Sequence, residues 1–200
     1  MTKNEKQTKD YYLKKRTCIH EAGHALVLWD VFAVICPNLV STTIYDENTD
    51  WNVTGFASLG DYGDITAPED AKKLMSVFYA GKVAVKKAIE YGLLEKDFII
   101  EHEPGFLGFS KKDFSNFNLL NPSTDYEHIE FLAKKHENKD YTETLYENLK
   151  RDAENISERS INNNWKCIED ISNHLYECQS LTRNDLRDII LNKYSPTKFY

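Results

Sequence analysis

Apolar residues follow two different periods along this chain, and the change of period divides it. From about Asp10 to Ile35 the pattern reads as one helix, with the apolar run Ala25-Leu26-Val27-Leu28-Trp29 near its end and Pro37-Asn38 stopping it. Between residues 39 and 59 helical periodicity is lost. Leu39 to Tyr45 and Trp51 to Leu59 are β-prone, and the polar stretch Asp46 to Asp50 separates them as a turn. This predicts a hairpin or small sheet. Gly55 within the second strand marks either a bulge or the close approach of another backbone, such as a substrate.

Gly60 to Ala67 reads as a loop. Pro68 opens the next helix, with Glu69 and Asp70 at its positive end. Ala71, Leu74, Val77, Phe78, Gly81, Val83 and Ala84 lie along it, and it ends near Gly92. Its small residues predict close packing against another helix. Lys96 to Phe109 is irregular. Ser110-Lys111-Lys112-Asp113 starts a short helix, Phe114 to Leu120, which Asn121-Pro122 halts; Ser123 to His136 forms another. A long helix or helix pair follows from Tyr141 to Cys178, with Ile161, Trp165, Ile168 and Leu175 at helical spacing. Asn162-Asn163-Asn164 should weaken it without ending it. The last helix is capped by Thr182, with Asp185 three residues on and Leu181 and Leu186 placed as a hydrophobic staple. The expected fold is mainly α with a small β-hairpin or sheet, a single domain over residues 1–200 with residues 1–9 partly frayed.

Composition narrows the function. A net charge of −7 and the lack of a dominant basic patch argue against a nucleic-acid partner. Cys18, Cys36, Cys167 and Cys178 form no CxxC pair, so a zinc ribbon is not expected, and reduced thiols in a cytoplasmic protein are. The N-terminus has no apolar signal-peptide core. The longest apolar run, Ala25 to Cys36, is interrupted by Asp30 and too short to span a bilayer, so no membrane segment is expected in this chain. Gly81-Lys82 lacks the surrounding residues of a P-loop.

The chemistry concentrates in His20-Glu21-Ala22-Gly23-His24. Residues four apart share a helix face, so His20 and His24 can close on one metal ion. Two imidazoles at an open tetrahedral site suit Zn²⁺, one per chain. Glu21 falls beside the first ligand, in reach of a water but not of the metal, where a peptidase keeps its general base. Paired histidines also arise by chance on amphipathic helices. Here the Glu stands at the required position, and Gly23 costs the helix about 0.5–1 kcal/mol relative to Ala, which usually reflects a packing or access need. A zincin-like site needs a third protein ligand. A metzincin-type extension would need Gly at position 27 and a ligand at 30; Val27 lets the helix run on and carry Asp30 away. A gluzincin-type Glu about twenty residues later is missing too, since Glu47 falls in a turn.

The stretch Thr17-Cys18-Ile19-His20-Glu21-Ala22-Gly23-His24-Ala25-Leu26-Val27 resembles the peptidase domain of FtsH-type zinc metalloproteases and its HEAGHALV motif. Val53-Thr54-Gly55-Phe56-Ala57 is similar to that family's edge strand. Tyr79-Ala80-Gly81-Lys82-Val83-Ala84 looks like its YGGRVAEE helix, and Glu177 to Thr182 with Asp185-Leu186 looks like its EKETLTGEEL segment. The matches run in order over about residues 10–191; only HEAGH is specific by itself. The resemblance implies a third zinc ligand from an Asp that opens a helix after a loop of small residues. The matching position is Asp113, although Lys111, Lys112 and Phe117 stand where small residues are expected, and Ser110 to Asp113 is also a capping-box pattern. Asp97, Glu101 and His102 are the alternatives.

The resemblance further implies a zinc-dependent endopeptidase that cleaves polypeptides. FtsH-type proteins carry membrane helices and an ATPase module, and this sequence has neither. It is expected to act alone on unfolded or loosely folded chains or as a fragment, with a separate ATPase as a candidate partner. A monomer or small oligomer is expected, against the rings of the family. The competing reading is a non-catalytic peptidase-like module that captures a protein or peptide; the intact Glu21 counts against it. A purely structural zinc site is disfavoured because such sites usually have four protein ligands, often Cys.

Overall fold

The computed structural model describes residues 3–33, 38–43, 53–57, 68–95, 125–135 and 143–194. Its described residues are mainly helical. The order is α1 (Lys3–Phe32), β1 (Asn38–Thr43), β2 (Val53–Ala57), α2 (Pro68–Glu90), α3 (Asp125–Lys135), α4 (Glu143–Asn163), α5 (Trp165–Cys178), β3 (Ser180–Thr182) and α6 (Arg183–Lys193). No described helix is long and apolar enough to cross a membrane.

Helix α1 is the centre of the packing. From Thr17 to Leu28 only His20 escapes full burial, so this stretch is enclosed on almost every side. A helix that is apolar all round belongs inside a core. Leu26 is fully buried, which stabilises the fold by about 1.5–3 kcal/mol over leaving it in water. Helices α2 and α5 and strand β2 pack around α1. The helix starts earlier than its apolar pattern predicts, at Lys3, and stops at Phe32, before Pro37. Ala33 ends it by taking a left-handed φ of 53°, and its N–H still donates to the Trp29 carbonyl at 2.8 Å.

The crossing of α1 and α2 depends on small residues, as their sequence predicts. A Cβ on Gly23 would stand 2.6 Å from the Ala80 carbonyl oxygen and 2.9 Å from the Ala84 Cβ. The obstacle is backbone, so it cannot swing aside. Overpacking of this kind costs about 1–3 kcal/mol, more than the helix propensity that Gly23 forfeits. Helix α2 ends as a Schellman motif at Gly92, whose φ is 71°. Gly92 N–H donates to the Ile89 carbonyl and Leu93 N–H to that of Ala88, both at 2.9 Å.

The expected hairpin is present as antiparallel β1 and β2, with Leu39 opposite Ala57 and Thr43 opposite Val53. The third strand was not legible. β3 adds to the other side of β1, with Leu39 opposite Leu181, giving the order β2-β1-β3. Residues 180–182 read as the approach to a helix cap and serve both purposes. The capping box itself is complete: Asp185 N–H donates to Thr182 Oγ1 at 3.2 Å, and Thr182 N–H to Asp185 Oδ2 at 3.0 Å.

Of the long helix or helix pair expected here, the structure has the pair, and the Asn162-Asn163-Asn164 stretch ends a helix that it was expected only to weaken. Helix α4 ends at Asn163 and α5 begins at Trp165. Asn164 leaves the helical region at φ −126°, ψ 27°. Its side-chain amide donates to the Ser160 carbonyl at 3.1 Å, the competition with backbone bonding that makes Asn a poor interior helix residue. Ser123 to His136 is realised as α3. The helix expected over residues 114–120 lies outside the described residues.

Candidate metal centre

His20 and His24 stand one turn apart on α1, their ring centroids 4.6 Å from each other. His24 is fixed from behind. Its Nδ1 lies 2.7 Å from the Val77 carbonyl oxygen of α2. A carbonyl only accepts, so Nδ1 carries a proton, and in the neutral ring Nε2 keeps its lone pair toward His20. A backbone carbonyl holding the far nitrogen is the usual way a metal-binding histidine is oriented. His20 is placed by a missing side chain: a Cβ at Gly81 would lie 2.4–2.6 Å from its ring atoms. Helical carbonyls point toward the next turn, so Val77 aims at position 81, where glycine leaves room.

The third member comes from a remote part of the chain. Asp125 is the first residue of α3, where the positive end of the helix favours a carboxylate. Asp125 Oδ2 stands 3.1 Å from His20 Nε2 and 3.1 Å from His24 Nε2, and the two Nε2 atoms are 3.0 Å apart. Three atoms, each able to bind a metal ion, thus face one point. Tetrahedral zinc with bonds of about 2.0–2.1 Å spaces its nitrogen and oxygen ligands by roughly 3.3 Å, so this triangle closely approaches one face of such a shell. The donor set fits zinc. The side chains of His20 and Asp125 are 24% and 28% exposed against 6% for His24, so one side is open to solvent. Glu21 is only 4% exposed, next to His20 in sequence.

Without a cation, protons on the imidazoles hold the site together by donating to the Asp125 carboxylate. Burial alone pushes His24 down, but the Asp125 carboxylate, its hydrogen bond and the charge of Glu21 outweigh it and raise His24 to about 9. Burial pushes the Asp125 carboxyl up, while the His24 charge and hydrogen bonds from both imidazoles hold it well below the usual carboxylate range. The raised His24 stabilises the metal-free fold fully below its unfolded value of 6.5, and that contribution is lost as pH rises through about 9. The lowered Asp125 contributes above its ordinary 3.8 and loses that contribution in acid. The melting temperature of chelator-treated protein is therefore expected to be highest between these limits and to fall from pH 6.5 to 9.5. A melting temperature flat over that interval in the native protein, or an identical fall in His24→Gln, would contradict the protonated His24.

Two of the residues expected to hold the metal, His20 and His24, stand together in the structure, with Glu21 beside them in sequence. Asp113, expected as the third, lies outside the described residues, as do Asp97, Glu101 and His102. Asp125, the third residue of this cluster, was not singled out from the sequence, although it follows the small residues Pro122-Ser123-Thr124 and opens a helix, which is the local pattern sought. Asp30 is carried away as expected, and its Oδ1 accepts a hydrogen bond from the Tyr194 hydroxyl. Cys18 and Cys167 are buried and Cys178 is exposed; none of the three forms a disulfide, and burial raises the Cys167 thiol to about 12. No protein-family model matches this chain, and no curated protein is significantly similar to it.

Proposed function

We propose that this chain is a zinc-dependent metalloendopeptidase of the FtsH type, acting on unfolded or loosely folded polypeptide. The observation that supports it most is the meeting of His20 Nε2, His24 Nε2 and Asp125 Oδ2 within 3.1 Å, next to the buried carboxylate of Glu21. His20, His24 and Asp125 would hold one Zn²⁺, which when bound supplies Lewis acidity toward water and a peptide carbonyl. In this reading Glu21 would take the proton of the attacking water and return it to the leaving amine.

Strand β2 supports a polypeptide substrate. It lies at one edge of the sheet and also packs on α1. Among the described residues it pairs only with β1, so its other edge can receive an extended segment by backbone hydrogen bonding. A polypeptide already unfolded, or one delivered by an ATPase, suits an open strand edge of this kind. The test is metal analysis of the native protein combined with casein cleavage. About one zinc per chain with cleavage that a chelator abolishes is expected. Bound zinc without cleavage of casein or unfolded peptides would favour the non-catalytic capture module instead.

A further inference from the structure

Helix α3 delivers Asp125, yet nothing in the metal triangle itself explains why α3 stops at the right height along α2. The first contact behind the carboxylate is one turn further on. His128 lies three residues after Asp125, on the same face of α3. Its imidazole stacks on the Phe78 ring at a centroid distance of 4.4 Å and an interplanar angle of 4°. Phe78 is buried and follows Val77, whose carbonyl holds His24. Adjacent residues of α2 therefore grip two different ligands: Val77 holds His24 directly, and Phe78 holds α3 one turn from Asp125. Gly81, on the next turn of α2, accommodates His20. All three candidate ligands take their positions from two successive turns of α2.

We propose that His128 is a positioning residue for the metal centre: its flat ring, seated on Phe78, sets how far α3 can slide along α2 and so keeps Asp125 Oδ2 against both imidazoles. The inference rests on the metal-site reading above. Other contacts of α3 are less directional than this stack. Ile129, Leu132 and Ala133 are apolar contacts that tolerate small sliding. The Lys150–Glu130 ion pair, at 2.8 Å, ties α3 to α4, not to the helix that carries Val77. A ring stacked within 4° of parallel constrains tilt as well as height. Burial pushes His128 below its ordinary value, so near neutral pH the ring is uncharged and stacks as a neutral aromatic.

The test uses Co²⁺ and Zn²⁺ with the native protein, His128→Ala, His128→Phe and Phe78→Leu. His128→Ala is expected to weaken metal binding by about 10–100-fold, the range for losing a group that orients a ligand. The visible Co²⁺ spectrum should change at saturating metal, reporting altered coordination. His128→Phe keeps a flat ring and should restore affinity to within a few-fold, with the native spectrum. Phe78→Leu, which retains most of the buried volume, should resemble His128→Ala. Native affinity and spectrum in His128→Ala, or a His128→Phe as impaired as the alanine variant, would overturn the positioning role while leaving the metal site standing. A native protein that binds neither ion would remove the metal reading and this inference with it.

Discussion

Glu21→Gln is expected to keep its zinc and lose hydrolysis by about 10²–10⁴-fold, the usual contribution of a positioned general base. The substitution preserves size and polarity, so the packing around a residue that is 4% exposed is little disturbed. It removes the one property the proposed reaction needs, the ability to accept a proton. It also removes a negative charge that helps raise His24; weaker proton competition at His24 then offsets the lost attraction for the cation, so zinc affinity should change little. Zinc content and casein cleavage measured on the same preparation separate the two effects. If Glu21→Gln loses zinc, Glu21 is a ligand and the arrangement of roles is different. If it keeps both zinc and full cleavage, the base lies elsewhere.

The parts of this molecule that were legible in the sequence are those encoded within a few residues. The HExxH unit needs only the helical repeat, and the Thr182–Asp185 cap needs only three intervening bonds of chain. Gly23 and Gly81 could be recognised as packing residues, but not what they pack against. The Gly23 obstacle is the Ala80 carbonyl and the Gly81 obstacle is the His20 ring, and both exist only after α1 and α2 cross. Strand β3 was hidden for a related reason. Three residues carry too little pattern to declare a strand, and their pairing with Asn38 to Val40 joins positions more than a hundred residues apart. The break at Asn164 was a matter of degree: the three Asn residues signalled weakness, and the side-chain bond to Ser160 turned it into an end.

Asp125→Ala is expected to lower zinc affinity more than about 100-fold, because even changes behind a ligand cost about 10–100-fold and this one removes the ligand itself. Two imidazoles alone leave the ion under-coordinated. Asp113→Ala is expected to bind zinc like the native protein. The difference between the two positions is physical. Both carboxylates follow a plausible helix start, but Asp113 is preceded by Lys111 and Lys112, whereas Pro122, Ser123 and Thr124 lead into Asp125. The carboxylate of Asp125 lies 3.1 Å from both imidazoles although it is separated from His20 by 105 residues in the chain, so only the folded contact reveals it. The metal-free variants supply an independent check. With Asp125 gone, the main charge raising His24 is lost, burial then lowers the imidazole, and the fall in melting temperature between pH 6.5 and 9.5 should disappear. Asp113→Ala should retain that fall. Zinc lost from Asp113→Ala and kept by Asp125→Ala would restore Asp113 as the third ligand and leave Asp125 as a hydrogen-bond partner of the two histidines.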